Sequence, residues 1–495
     1  MRDDINKGNY DILLIHPSYH RRLGSGTVPP IGLANLVSFL SKTGFTSKIL
    51  DCSLYFDSLE SSKIEEMKNW LRNRLTLTNP RLAIGIGPCT TSSIKSILAV
   101  TDVCREVHPQ IPLIFGGPLT LILGQEWLFF ELLGAFAIVK GDGEYAVSNI
   151  LTQLREGKAL SNIPGVQNTI NQQVEPNFIE DLNILPHPYW DLFNMSAYKP
   201  SIRRDLFIYP FAPVIGSRGC PHSCSFCISG QLIKYRRYSF EYIIEQVRIL
   251  RKKHNIRSII FYDDSLFPYT SNINEEINLF ADLLFQSTPD VLWQIEIRPD
   301  VFSQISDSTF QHIFSCGCHQ MNIGIEKASA LQLKLISKSF DIKQLTDTCK
   351  SVAKNCQEMR LTGTFILGGP KETLESIHEN IEFSTQLNLL FAHYYPLELY
   401  PGTPAYRSVC GLNNKEWFDK IINDNLPWGE IIYEDVNISS TQLMELTRSA
   451  YRYFYDRNEW KELAKHHLGR NYEKVQIHVK SWLNDRFQLK RDGGI

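Results

Sequence analysis

Gly216-Ser217-Arg218-Gly219-Cys220-Pro221-His222-Ser223-Cys224-Ser225-Phe226-Cys227 is the stretch on which the reading of this chain turns. It follows an apolar run, Phe211–Gly216, with the pattern of a strand, and precedes a segment with helical spacing, so three thiols share one loop. Further strand-like runs lie at Arg257–Tyr262, Val291–Ile297, Gln320–Ile325, Leu361–Leu367 and His393–Leu399, separated by helical stretches such as Ser239–His254 and Asp341–Asn355. Six βα units in succession predict a parallel, barrel-like sheet whose first strand the cysteine loop caps. A tetrahedral zinc site closes with four protein ligands. The nearest fourth candidate, His222, is wedged between two of the thiols. Three thiolates on an iron–sulfur cluster instead leave one iron open, as a substrate-binding centre requires.

Upstream, Asp11–His16 predicts a strand, Leu33–Leu40 a helix, and a second strand ends at Asp51, with Pro29-Pro30-Ile31-Gly32 and Gly44 between them. A second set runs from strand Leu82–Ile86 through Gly87-Pro88-Cys89-Thr90-Thr91-Ser92 into a helix, then strand Pro112–Phe115 and the turn Gly116-Gly117-Pro118. Strand Ala135–Lys140 leads into Gly141-Asp142-Gly143-Glu144 and a further helix. This alternation predicts an α/β, Rossmann-like, doubly wound parallel sheet with ligands at the carboxyl ends of its strands. Residues 1–152 form this first domain. Periodicity fades and prolines accumulate over 153–207, read as a linker; 208–410 is the partial (β/α)6 barrel and 411–495 a mostly helical C-terminal region. Tyr394, Tyr395, Tyr400, Trp428 and the aromatic tail read as core or as the wall of an acceptor pocket.

Composition narrows the function classes. A chain of 495 residues needs more than one core, and 43% hydrophobic with 21% charged residues is globular. A net charge of -2 without a basic run argues against nucleic acid as a partner. The apolar stretch Pro118–Val139 carries Gln125, Glu126 and Glu131, so no transmembrane segment is expected. No secretory signal precedes Tyr10, and the expected location is the cytoplasm. Eleven cysteines, three of them in eight residues, suit a reduced compartment and a metal site, with the remainder read as small buried residues.

The spacing Cys220-x3-Cys224-x2-Cys227, with Phe226 before the last thiol, resembles the signature of radical S-adenosylmethionine enzymes over roughly Ala212 to Tyr406. The resemblance implies a [4Fe-4S] cluster on Cys220, Cys224 and Cys227, which cleaves S-adenosylmethionine reductively to a 5′-deoxyadenosyl radical. It also implies cosubstrate contacts at Phe226, Asp263, Asp264, Glu296, Arg298, Glu326, Gly368 and Gly369, where structural ion pairs are the alternative for the acids. A low-potential electron donor such as flavodoxin or ferredoxin is implied as a partner. The first domain resembles the cobalamin-binding domain of one branch of that family through Pro29-Pro30-Ile31-Gly32-Leu33-Ala34, Thr90, Thr91, Ser92, Gly116, Gly117, Gly141, Gly143 and Glu144. A nucleotide site or a bare scaffold is the alternative. No Asp-x-His-x-x-Gly motif occurs, so the resemblance implies a cobalt with no protein imidazole beneath it, its lower face left to water or a non-ligating side chain, and His16 and His20 read as loop hydrogen-bonding residues. The branch implies a methyltransferase acting on an unactivated carbon of a small-molecule substrate through methylcobalamin, with a ring-forming or ring-rearranging enzyme as runner-up and a cobalamin sensor as a third reading.

Overall fold

Short runs of buried Ile, Leu, Val and Ala between polar turns make the strands of the first sheet, as a parallel sheet covered on two faces demands, while several strands of the second alternate apolar and polar residues. The computed structural model describes residues 8–19, 27–57, 59–199, 210–409, 413–423 and 438–485. These divide into two units. The first takes in the chain to Ala197 together with the helix Asn414–Asn423, and the second takes in Thr27, Val28 and the rest.

In the first unit, β1 (Gly8–His16), β2 (Ser47–Asp51), β3 (Thr78–Ile86), β4 (Leu113–Gly116), β5 (Ala137–Val139) and β6 (Val166–Gln167) form one sheet in the order β2-β1-β3-β4-β5-β6. All pairings are parallel except β5 with β6. Helices α1 (Ile31–Lys42) and α4 (Gly143–Arg155) pack together, as do α2 (Ser61–Leu75) and α3 (Ile94–Val107), giving the expected doubly wound arrangement. Strand order reverses between β1 and β3, so the ligand crevice of such a sheet lies at their carboxyl ends.

Three details depart from the sequence reading. Helix α2 was not anticipated, because only Met67, Leu71 and Leu75 on it are buried. The stretch read as a linker packs within the first unit as far as Ala197: β6 pairs with β5, Asn177 bridges Gly141, and Ile179, Leu182, Leu185 and Trp190 are buried. Its prolines erase periodicity without preventing burial. The region from 411 is divided, since helix Asn414–Asn423 lies in the first unit with Trp417 and Phe418 buried and Asn414 Nδ2 donating to the Leu123 carbonyl at 2.9 Å.

In the second unit, β7 (Phe211–Val214) opens a six-stranded parallel sheet, with the small hairpin β8 (Ser217–Arg218) and β9 (Arg236–Arg237) beside it. The sheet continues through β10 (Ser258–Phe261), β11 (Leu292–Ile297), β12 (Cys318–Glu326), β13 (Arg360–Leu367) and β14 (Phe391–Pro396) in sequential order, which is the predicted partial barrel. Helices α5 (Ile228–Leu232), α6 (Phe240–His254) and α7 (Ile273–Ser287) begin the series of crossovers. One face of the sheet is apolar, and Phe261 and Trp293 on it meet Phe280 of α7 at 5.5 and 5.7 Å between ring centres. The opposite face carries Gln294, Glu296, Gln320, Asn322, Thr362, Thr364 and His393, in the register that places them side by side. That is the polar face a ligand can use.

The aromatic tail has a different task from lining a pocket. On helix Ser440–Tyr455, the Tyr451 hydroxyl accepts from the Tyr394 N–H at 3.0 Å and donates to its carbonyl at 2.9 Å, and Tyr455 does the same for Ala392. Edge strand β14 is thereby satisfied by side chains rather than by another strand. Tyr394 is buried core, and Trp428 lies outside the described residues.

Candidate functional site

The cysteine loop is shaped by two glycines. Gly219 has φ +75° and a Cβ there would meet the Ile233 carbonyl at 2.6 Å; a Cβ on Gly230 would meet the His222 carbonyl at 1.8 Å. The loop therefore folds back on α5, and Cys227 N–H donates to the Cys224 carbonyl at 3.2 Å. Cys224 is buried, whereas Cys220 and Cys227 are half-buried. Burial pushes the Cys220 thiol up to about 11 and raises that of Cys227. A cation taken up here displaces those protons. Cys52, Cys89, Cys104, Cys316, Cys318, Cys349 and Cys356 are buried, as the sequence suggested, and Cys410 lies outside the described residues.

Around the loop, Arg298 directs one guanidinium nitrogen to Cys224 Sγ at 3.5 Å while Asp300 holds the others at 3.0 and 3.1 Å. Asp264 is raised by burial, partly offset by a hydrogen bond from Ser229. Asp263 is pushed up to about 7, also by burial. Its Oδ1 accepts from Ser217 Oγ at 2.6 Å, and Oδ2 is buried with no partner within hydrogen-bond distance among the described residues. Asp263 therefore braces the entry to the loop. Nε2 of His222 is likewise buried with no partner among the described residues, and the pKa of that ring is lowered by burial and by the nearby Arg298.

At the ends of the later strands, Glu296 accepts from Asn322 Nδ2 at 3.2 Å. Glu326 sits at a register shift in β12 with φ +71°, its Oε1 3.3 Å from Lys338 Nζ and its carbonyl accepting from Asn380 at 3.0 Å. Gly368 and Gly369 have φ +84° and +133°. The Gly368 carbonyl accepts from Lys327 Nζ at 2.9 Å, and Lys327 is paired with Glu372 at 2.5 Å, both 1% exposed. Lys327, Lys338, Glu372, Asn380 and Asp300 escaped the sequence reading. A lysine directly after Glu326 in Gly324-Ile325-Glu326-Lys327 was the available signal. Phe226 is half-buried beside the thiols in sequence.

In the first unit, the glycines serve backbone packing. A Cβ on Gly117, at φ +123°, would meet Cys89 N at 2.4 Å, and Cys89 N–H donates to the Gly116 carbonyl at 2.7 Å. Gly141 abuts the Asn177 backbone, with 2.1 Å from a Cβ to its carbonyl. These positions hold the loops together, and Gly143 has only ordinary contacts at 4.0 Å. Thr90 caps the turn Thr91–Ser93, its Oγ1 3.0 Å from both Ser92 and Ser93 Oγ. Glu144 is buried at the start of α4. Gly32 is exposed in the first turn of α1, with nothing within 4 Å of a Cβ built on it. The sequence also missed a cluster at the switch point, where His16 Nδ1 lies 2.8 Å from Asp51 Oδ1 and 3.1 Å from Ser53 Oγ. His20 lies outside the described residues.

Residues 214–384 match the family described as the Radical SAM superfamily. The chain is 28% identical over 470 residues to "Uncharacterized methyltransferase PH0819" of Pyrococcus horikoshii, covering 92% of this chain and 95% of that protein. It is 24% identical over 414 residues to an anaerobic magnesium-protoporphyrin IX monomethyl ester cyclase of Rubrivivax gelatinosus, covering 80% and 70%. Among solved structures, the cobalamin-dependent S-adenosylmethionine radical enzyme OxsB with aqua-cobalamin bound aligns with TM-score 0.66 at 15% identity, covering 96% and 72%. The radical S-adenosylmethionine methyltransferase TsrM from Kitasatospora setae aligns with TM-score 0.61 at 17% identity, covering 80% and 74%. Among the described residues, no helix is long and apolar enough to cross a membrane.

Proposed function

From a chain whose residues 214–384 are a radical SAM domain, we propose a cobalamin-dependent radical S-adenosylmethionine methyltransferase that acts on a carbon of a small molecule. The observation that carries this reading is the placing of Cys220, Cys224 and Cys227 on one loop after the first strand of the six-stranded parallel sheet, with Arg298 against Cys224. The donor set fits a three-thiolate cluster: the loop offers three sulfurs and a single imidazole, that of His222, whose pKa is lowered by burial. What supports a corrinoid in the first unit is its doubly wound parallel sheet, whose strand order reverses between β1 and β3 and so puts a ligand crevice at their carboxyl ends, with polar His16, Asp51 and Ser53 gathered there.

When bound, the cluster supplies one electron for cleaving S-adenosylmethionine, and the corrinoid supplies a carrier for its methyl group. Cys220, Cys224 and Cys227 would hold the cluster through their three sulfurs, a donor set one short of the four that a closed site takes. Arg298 donates to the Cys224 sulfur, which favours the reduced, more negative centre, and Asp300 keeps that guanidinium in place. Glu296 and Glu326 accept hydrogen bonds from the cosubstrate's polar ends, while Gly368 and Gly369 let the backbone turn close to it. Polar groups on the inner face of β11–β14 orient the acceptor. A low-potential flavodoxin or ferredoxin is the reductant this scheme needs.

Anaerobically reconstituted protein with dithionite is expected to release 5′-deoxyadenosine, and Cys224→Ala to lose both cluster absorbance and that product. Wild-type protein that releases none refutes the reading. The similarity to the ring-forming cyclase over 80% of the chain supports a second reading, cyclisation without methyl transfer. S-adenosylmethionine with a deuterated methyl group separates the two, because only methylation leaves label in the product.

A further inference from the structure

Asp282 on α7 and His312 on helix Asp307–Ser315 meet where those two helices pack together, with His312 Nε2 2.9 Å from Asp282 Oδ1. Cys316 follows one turn beyond His312 on the same face, its N–H donating to the His312 carbonyl at 3.0 Å and its Sγ 3.9 Å from His312 Nε2. The three donor atoms converge, each within 4.8 Å of the other two. Beneath them the backbone is fixed: Trp293 Nε1 donates to the Cys316 carbonyl at 2.9 Å, and Gly317 turns at φ +94°, where a Cβ would meet the Val291 carbonyl at 2.8 Å. Cys316 is 5% exposed, whereas the Asp282 and His312 side chains keep 47% and 39%. A buried thiol therefore stands beside an imidazole and a carboxylate that are open to solvent. Strand β12 begins at Cys318, so this cluster lies at the amino end of the second sheet, while the loop of Cys220, Cys224 and Cys227 follows the carboxyl end of β7. The strands of that sheet are parallel, which puts the two groups of ligands at opposite ends of it.

An exposed Asp–His pair contributes about 0–1 kcal/mol and gives no role to a thiol beside it. Imidazole, thiolate and carboxylate together are the donors of a zinc ion, at about 2.0–2.1, 2.3 and 2.0–2.2 Å. At tetrahedral angles those lengths separate the donors by roughly 3.4–3.6 Å. The observed 2.9 and 3.9 Å lie on either side of that span, so small rotations of the two exposed side chains reach it. We infer that Asp282, His312 and Cys316 bind a zinc ion, with water as the fourth ligand, and that the ion ties α7 to the helix leading into β12. On binding, the proton of the Cys316 thiol and the one between His312 Nε2 and Asp282 leave to solvent, and the neutral ring keeps its proton on Nδ1. The role is structural, since the amino end of a barrel sheet serves stability and the carboxyl end serves chemistry. It replaces the sequence expectation that Cys316 is a small buried residue and depends on neither the corrinoid nor the acceptor.

The test uses the full chain with its iron–sulfur cluster assembled anaerobically, so that the loop thiols are occupied, and then supplied with zinc. X-ray absorption at the zinc edge reads that metal apart from the iron. Wild-type protein is expected to retain one zinc per chain through gel filtration, with one sulfur at about 2.3 Å and three nitrogen or oxygen atoms at about 2.0–2.1 Å. In competition with a chromogenic chelator, His312→Gln should weaken binding by at least about a hundredfold, beyond what a change outside the ligands costs. Cys316→Ser should remove the sulfur from the spectrum. Zinc should raise the melting temperature of the wild type and leave that of His312→Gln unchanged, with equal cluster absorbance in both. Because the spectrum is recorded on wild-type protein, a poorly folding variant does not remove the test. No retained zinc, a zinc surrounded by three sulfurs, which is an ion held by the Cys220 loop, or an affinity unchanged in His312→Gln overturns the assignment.

Discussion

Replacing Lys327 with Met probes how the carboxyl ends of β12 and β13 are fastened. The Lys327 ammonium is 1% exposed, 2.5 Å from Glu372 and 2.9 Å from the Gly368 carbonyl. Burial lowers its pKa and the Glu372 carboxylate opposes that. Removing one partner of a buried pair leaves the other charge uncompensated, at about 3–5 kcal/mol. The lost charged bond to Gly368, about 1.5–3 kcal/mol by itself, overlaps with that figure and is not added to it. The expected destabilisation of the second unit is therefore about 4 kcal/mol, nearly a thousandfold in its folding constant. Anaerobic urea unfolding measures it, with loss of cluster absorbance marking the second unit apart from the first. Lys327→Met combined with Glu372→Leu, which removes both charges and keeps apolar volume, should recover most of the loss. A single variant within about 1 kcal/mol of wild type, or a double variant worse than the sum of the two singles, would refute the reasoning. The same loop bears Gly368 and Gly369, so the single variant should raise the KM for S-adenosylmethionine more than it lowers kcat.

Other expectations concern separate parts of the molecule. Gly117→Ala puts a Cβ 2.4 Å from Cys89 N at a left-handed φ and should destabilise the first unit by about 2–4 kcal/mol, whereas Gly32→Ala, facing open space at a helix start, should be neutral or stabilising by up to about 1 kcal/mol; calorimetry compares them. Arg298→Leu should make the cluster's reduction potential more negative by on the order of 60 mV, the one-electron equivalent of about 1.4 kcal/mol, in an anaerobic potentiometric titration. His467 is pushed down to about 4, first by burial and then by Arg360. Its folded pKa lies below the unfolded one, so the stability it contributes is present above about pH 6.5 and is lost as pH falls towards 4, at most about 3 kcal/mol before solvent screening. Melting curves between pH 7 and 4.5 should show that loss, and His467→Gln should flatten it.

The strands were legible because each is a run of apolar residues ended by Gly, Pro or a polar turn, and their order followed from the regular alternation with helices. The cysteine loop was legible because its ligands are adjacent in sequence. What escaped depends on partners distant along the chain. Asp263 and Asp264 look alike in Tyr262-Asp263-Asp264, yet Ser217, 46 residues away, takes one of them as a brace. Gly117 and Gly141 have a packing role as well, which only the backbones of Cys89 and Asn177 against them reveal. Helix α2 hid because a lone surface helix needs few apolar residues, here Met67, Leu71 and Leu75. His16 lacked any sequence motif since its orienting carboxylate sits on the neighbouring strand.

Helix Asn414–Asn423 has a further consequence for how the protein is made. Its Trp417 and Phe418 are buried in a unit whose other residues end at Ala197, with the whole six-stranded sheet encoded in between. On a ribosome adding roughly 5–20 residues per second, that last piece emerges on the order of ten to forty seconds after the rest of its unit. The rest of the first unit must wait through that interval without this helix, whose Asn414 bonds the Leu123 carbonyl and whose Lys415 lies over the Trp127 ring. The first unit to be started is thus completed only after the second sheet has left the ribosome, and a fragment cut after Ala197 should be prone to aggregate.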